Sequence, residues 1–157
     1  MSWNQEVAIR LGVALFVGGL FGLNRDLRGK PAGLCTHALV SLGSALATIM
    51  VLNAPGGVLA ADPNAIGRVV QGILTGIGFL GAGVIMRDPA GHVTGLTTAA
   101  TVWLCAVLGI VCGLGYWVLM GIGFGLTLLT LLVGKTIERK IEHWFKRDGG
   151  HPPDHSV

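Results

Sequence analysis

The chain has 157 residues, of which 52% are hydrophobic and 12% charged, with a formal net charge of +3. A soluble domain carries about 25% charged residues, so this composition excludes an ordinary water-facing globule. The basic residues flank apolar runs rather than gathering on one polar face, which points to lipid headgroups rather than nucleic acid as the partner of the positive charge.

Spanning about 30 Å of hydrocarbon takes roughly 20 apolar residues in a helix, with a lower limit near 17. Five segments meet that requirement. The first is Val7–Leu23, interrupted by Arg10; Met1–Glu6 before it holds no Lys or Arg, so the start does not read as a cleaved signal. The second is Leu34–Leu52, where Thr36 can serve as N-cap. A connection, Asn53–Asn64, carries Pro55, Gly56, Gly57, Asp62 and Pro63 and reads as the one sizeable loop. The third segment is Ala65–Ile85, with Arg68 and Gln71 in its first turns, and the fourth is Thr94–Leu114. Gly113–Tyr116 leaves room only for a tight turn, so the fifth segment, Trp117–Val133, makes an antiparallel hairpin with the fourth. The fold class expected is all-α, with five transmembrane helices, since lipid leaves open strand edges without partners. Residues 1–134 form this transmembrane domain. Residues 135–157 form a basic tail that puts Ile137, Ile141, Trp144 and Phe145 on one helical face, an amphipathic extension of helix five against anionic headgroups. The last stretch, His151–Val157, with two prolines, reads as disordered.

Lys and Arg placement orients the bundle. Arg25, Arg28, Lys30, Arg87, Lys135, Arg139, Lys140, Lys146 and Arg147 fall on one side if there are five crossings, against Arg10 and Arg68 on the other. That segregation puts the N-terminus outside and the C-terminus in the cytoplasm of a bacterial inner membrane. Trp3, Tyr116 and Trp117 then form an outer aromatic belt, while Trp103 falls mid-helix and reads as packing.

Gly occurs 26 times. Gly18–Gly22, Gly72–Gly76, Gly109–Gly113 and Gly121–Gly125 are GxxxG pairs, and Gly43–Ala47 and Gly78–Ala82 extend the pattern. Because lipid tails are as apolar as Leu, helices associate in a membrane through close backbone approach, which Gly permits. Any single such face can serve packing of the five helices on one another, but with faces on helices one, three, four and five at least one is expected to be left for a second subunit or another membrane protein. The run Gly76–Gly83, with glycines also at 78 and 81, is denser still. Each glycine costs a helix about 0.8–1 kcal/mol relative to Ala, so either a neighbour crosses closely there or the helix is broken around a ligand.

Charged groups in hydrocarbon are functional candidates. Arg68 and Gln71 share a helix face and Thr75 follows one turn later; with Glu6 and Arg10 they form a candidate outer-leaflet polar cluster, the alternative being that both arginines snorkel to headgroups. On the inner side Asn24, Arg25, Asp26 and Arg28 end helix one. His37 opens helix two as a pH-sensitive candidate, although a lone interfacial His is more often merely solvated. Thr97, Thr98 and Thr101 line one face of helix four and can simply back-bond to carbonyls one turn earlier. Cys35, Cys105 and Cys112 read as small packing residues; the last two share a helix with Cα atoms about 10 Å apart, too far to bridge. The eight acids lie in loops, the tail or terminal helical turns. Mg²⁺ usually takes one or two carboxylates, so an acid-lined path for it is not written here. No metal or cofactor site is read from the sequence. Nor is there a phosphate-binding loop, a zinc-ligand pattern or a nucleophile–base pair, so the protein is expected not to be an enzyme.

The run from Gly22 through Asn24-Arg25-Asp26, Thr36-His37 and on to Gly43 resembles the first signature of the MgtC/SapB membrane proteins, and Arg68, Gly76–Gly83 and Gly95–Trp103 resemble the second. The resemblance runs from about Gly18 to Gly115. It implies a bacterial inner-membrane protein linked to Mg²⁺ limitation and virulence; some members of the family restrain the membrane-embedded ATP synthase, and transport of Mg²⁺ is poorly supported for them. Many members have Glu where this chain has Asn24 and Arg where it has Cys35, and well-known virulence members carry a soluble domain after helix five, where this chain has its tail. The combined expectation is a non-enzymatic membrane protein that docks on itself as a homo-oligomer (a dimer) or on a complex such as the ATP synthase membrane sector. The rival is a small-solute or ion transporter built around a broken helix three; a lipid-headgroup binder using Arg25, Arg28 and Lys30 is a third possibility.

Overall fold

The computed structural model describes residues 2–52, 64–87 and 92–147. The Asn53–Pro63 part of the long connection, the His151–Val157 run and Met1 lie outside the described residues.

The five apolar segments are five helices long and apolar enough to cross a membrane: α1 (Trp3–Asp26), α2 (Leu34–Leu52), α3 (Ala65–Val84), α4 (Leu96–Leu114) and α5 (Trp117–Arg147). Helix α1 begins four residues before its apolar run because Ser2 and Gln5 form a capping box, in which the Ser2 N–H donates to Gln5 Oε1 at 3.0 Å. Helix α2 begins at Leu34, before Thr36. Its cap comes from elsewhere in the chain: the Leu34 N–H donates to Asp26 Oδ2 at 2.8 Å, so Thr36 is not the N-cap. Between α3 and α4 the loop is partly regular. Met86–Arg87 (β1) and Val93–Thr94 (β2) pair antiparallel, Met86 opposite Thr94 and Arg87 opposite Val93. This ribbon takes Thr94 from the predicted fourth helix and ends at Gly95, whose φ of 93° is open to glycine; a Cβ there would lie 2.0 Å from the Val84 carbonyl oxygen. Helix α5 is continuous over 31 residues, or about 46 Å, so roughly a third of it exceeds a 30 Å hydrocarbon layer, in keeping with the tail being an extension of this helix.

Helix α4 is the hub. In its most apolar stretch 61% of residues are buried, against 39% or less in the other spans, and it packs on all four other helices. Its glycines explain how α2 comes so close. A Cβ on Gly109 would lie 2.2 Å from the Ser41 carbonyl oxygen, and one on Gly113 2.8 Å from the Thr48 Cβ. Helix α1 grips α2 from the other side: a Cβ on Gly18 would lie 2.5 Å from the His37 carbonyl oxygen and one on Gly22 2.4 Å from the Leu34 Cα. Two of the GxxxG pairs therefore converge on one helix. Ala14, Ala45 and Cys112 fill the centre of this triple contact, while Val17, Phe21, Cys105 and Leu108 carry the packing outward to α5. There the Phe21 and Phe124 rings meet at 5.1 Å. Helix α3 leans on α4 through Ile77, Val102 and Ala106. Cys105 and Cys112 are packing residues as expected; Cys35 is exposed and borders an apolar groove between α1 and α2 with Leu20 and Leu39. Trp103 is exposed too, on the outer face of α4, and is not core packing.

Candidate functional site

The polar residues gather at the end of the bundle where α1 finishes and α2 and α4 start. Arg25 is 3% exposed and His37 fully buried, so His37 is not the solvated interfacial group its position in the sequence suggests. Their partners come from α4: an Arg25 Nη2 N–H donates to Thr98 Oγ1, and His37 Nε2 lies 3.1 Å from Thr101 Oγ1. His37 Nδ1 lies 3.0 Å from the Gly33 carbonyl oxygen, which can only accept, so Nδ1 carries a proton. The Thr101 hydroxyl has one proton and two acceptors in reach, His37 Nε2 and the Thr98 carbonyl oxygen at 2.8 Å. A single proton position on the imidazole therefore decides which of the two it bonds. Thr98 and Thr101 do more than back-bond; Thr97 is exposed.

Three neighbours continue this seam along α2. Ser41, Ser44 and Thr48 are buried with His37 in a 37, 41, 44, 48 spacing that lays them on one helical face. Ser44 and Thr48 donate to the carbonyls four residues earlier, at 2.8 Å each, while the Ser41 hydroxyl is buried without a partner among the described residues. These residues were legible in principle, because small polar residues recurring at that spacing inside an apolar span are a helix-contact signal. Asn24 Oδ1 is likewise buried and unpartnered, whereas Asp26 serves as the cap of α2.

At the other end of the bundle lie the residues of the expected outer polar cluster. Arg10 pairs with Glu6 one turn before it and donates to the Gly113 carbonyl oxygen at 2.6 Å, which ties α1 to the α4–α5 turn. Arg68 and Gln71 stand on the exposed face of α3, and the Thr75 hydroxyl donates to the Gln71 carbonyl oxygen at 2.8 Å. Helix α3 itself runs unbroken through its glycine cluster, which removes the broken-helix reading. The close-crossing reading fails within the chain as well. Among the described residues nothing lies within 4 Å of a Cβ placed on Gly72, Gly76, Gly78 or Gly83, and Gly81 makes only an ordinary 3.6 Å contact with Ala99. Gly121 and Gly125 on α5 are equally open. Among the described residues no group of three or more His, Cys, Asp or Glu could hold a metal ion.

A family model described as the MgtC family matches residues 11–140. The chain belongs to the MgtC family. The matched stretch contains all five apolar helices from Leu11 onward, hence Arg25, His37, Thr98, Thr101 and both sets of glycines, and the MgtC-family chain is a multi-pass membrane protein. It is 46% identical over 140 residues to Protein SrpB of Synechococcus elongatus, covering 85% of this chain and 77% of that one. It is 40% identical to the Putative magnesium transporter YhiD of Escherichia coli, over 83% of this chain and 61% of YhiD. To Protein MgtC of Salmonella typhimurium it is 44% identical over 68% of this chain, but that match spans only 43% of the relative. No solved structure matches.

Proposed function

We propose that this MgtC-family protein is a non-enzymatic inner-membrane regulator, linked to adaptation to Mg²⁺ limitation, that works by helix–helix docking through the open face of α3. The observation that carries the reading is the contrast among glycines. Gly18 and Gly22 of α1 and Gly109 and Gly113 of α4 are filled by α2, whereas Gly72, Gly76 and Gly83, on one face of α3, meet nothing among the described residues. Phe79, on the same exposed side, is 83% accessible. Glycines weaken a helix and gain nothing from lipid, so an unfilled row of them in a membrane span is suited to another helix at close range. The occupant we favour is a second copy of this chain, with the N-terminus outside and the C-terminus cytoplasmic. The membrane sector of ATP synthase is the alternative occupant that the family resemblance supplies.

The test is crosslinking of a Phe79→Cys variant in native membranes, on a Cys35→Ser background. A crosslinked dimer that Gly76→Leu abolishes supports self-docking, and a heterologous adduct with an ATP synthase subunit, lost in the same variant, supports the other occupant. A chain that stays uncrosslinked overturns the docking reading. The name of the Escherichia coli relative sets Mg²⁺ transport against it, and robust Mg²⁺ flux from proteoliposomes of purified protein would replace regulation with transport.

A further inference from the structure

A cavity of about 440 Å³ opens at the Arg25 end of the bundle, between the α1–α2 loop and the start of α4, bordered by Arg25, Lys30, Val93, Gly95, Thr97 and Thr98. That volume lies within the range of small-ligand sites. From this geometry we infer an oxyanion site for a phosphate group, held by Arg25, Lys30 and the N-terminus of α4.

Two independent observations carry it. The first is the helix end. Helix α4 is 19 residues long, its cap position is Gly95, which has no side chain to offer, and its first internal bond runs from the Ala99 N–H to the Gly95 carbonyl. The N–H groups of Leu96, Thr97 and Thr98 are therefore left without helical acceptors, at the positive end of the helix dipole and beside the cavity. Gly95 is held there by its left-handed backbone and by the Val84 carbonyl, so no Ser, Asp or Asn cap can take its place without moving the ribbon.

The second is the guanidinium. Arg25 is buried, yet its one side-chain bond among the described residues is to a neutral hydroxyl, Thr98 Oγ1, and its Nε has no partner. No described carboxylate lies within 4.0 Å of it. Asp26 is the acid next in sequence, and it is committed to the Leu34 N–H. The neighbouring charge that acts on Arg25 is another cation, Arg28. A buried cation without a counter-ion is costly, and an anion entering this cavity would offset that cost. The fork of N–H donors on Arg25, the point charge of Lys30 and the divergent N–H groups of a helix end suit a tetrahedral oxyanion with several oxygens. A phosphate monoester meets that description, whether free in water or at the head of a lipid. The inference stands apart from the docking face of α3, which lies on another helix.

The experiment uses the full chain in nanodiscs of zwitterionic lipid, titrated with inorganic phosphate and followed by the thermal unfolding midpoint. In a parallel arm phosphatidic acid is added to the discs and retained lipid is read by native mass spectrometry. Wild-type protein is expected to be stabilised by phosphate or to retain phosphatidic acid. Losing one charge-assisted contact should weaken binding about tenfold or more in Lys30→Gln, an exposed-loop change that leaves the bundle intact, and in Arg25→Gln if that variant folds. A response to inorganic phosphate identifies a soluble ligand, whereas retention of phosphatidic acid alone identifies a lipid. Absence of both in the wild type, or binding that Lys30→Gln and Thr98→Val leave unchanged, overturns the site.

Discussion

Gly109 and Gly76 belong to the same sequence motif and do opposite things. Behind Gly109 stands the backbone of α2, with the Ser41 carbonyl oxygen 2.2 Å from where a Cβ would sit, and backbone cannot swing aside as a side chain does. Gly109→Ala should therefore force α2 and α4 apart at a cost of about 1–3 kcal/mol. Gly76→Ala meets no atom of the described residues and should be neutral, or favourable by up to ~1 kcal/mol from helix propensity. Unfolding of both variants in mixed micelles by SDS titration measures the difference; equal midpoints would remove the distinction between filled and open glycines. The sequence spells GxxxG at both places, since spacing fixes which residues share a face but not what that face meets. His37 is a similar case. As a lone His beside a loop it reads as solvated, yet Gly22 and Gly33 let the end of α1 close over the start of α2, and the ring is enclosed against Thr101. The sign available earlier was His37 standing in register with Ser41, Ser44 and Thr48.

At the scale of elements the spans themselves were plain, because 17 or more apolar residues in a row have one stable solution in lipid. Their ends were not, since ends are set by caps that come from distant residues: Asp26 starts α2, and the β1–β2 ribbon delays α4 until Gly95. The α4–α5 turn shows the same principle. Gly115, at φ 77°, donates to the Cys112 carbonyl and Tyr116 to that of Val111, the paired bonds of a Schellman close. The Gly113 carbonyl is left over, and Arg10 takes it from α1 while Glu6 holds the guanidinium in place. Arg10 thus completes a helix end. Arg10→Met should cost about 1–3 kcal/mol, the price of leaving a half-buried carbonyl unbonded, and should speed amide hydrogen exchange over Gly115–Met120 with little change along α3. Unaltered exchange across that turn would mean that Arg10 merely reaches the interface.

For the whole molecule, the arrangement of charge and the arrangement of packing agree on one axis. The Arg10 end carries Trp3, Tyr116 and Trp117, all exposed, as an interfacial belt requires. The opposite end carries Arg25, Arg28 and Lys30, the start of α4 and the ribbon, and α5 runs past the hydrocarbon layer on that side. The cytoplasmic leaflet is the anionic one in the sense that matters here, attracting basic segments within a Debye length. The basic end should therefore face the cytoplasm, which also places the Arg25 cavity where soluble phosphates and lipid headgroups are both within reach. On a Cys35→Ser background, with Cys105 and Cys112 wholly buried, single cysteines at Leu27 and Tyr116 report the two ends; both positions are exposed, and they lie at opposite ends of the bundle. An impermeant maleimide added to intact spheroplasts should label Tyr116→Cys at once and Leu27→Cys only after the membrane is opened. The reverse pattern would turn the molecule over in the membrane. Labelling of both from outside would mean an odd number of crossings no longer separates those two positions, and the regulatory reading would lose its orientation along with the five-span arrangement.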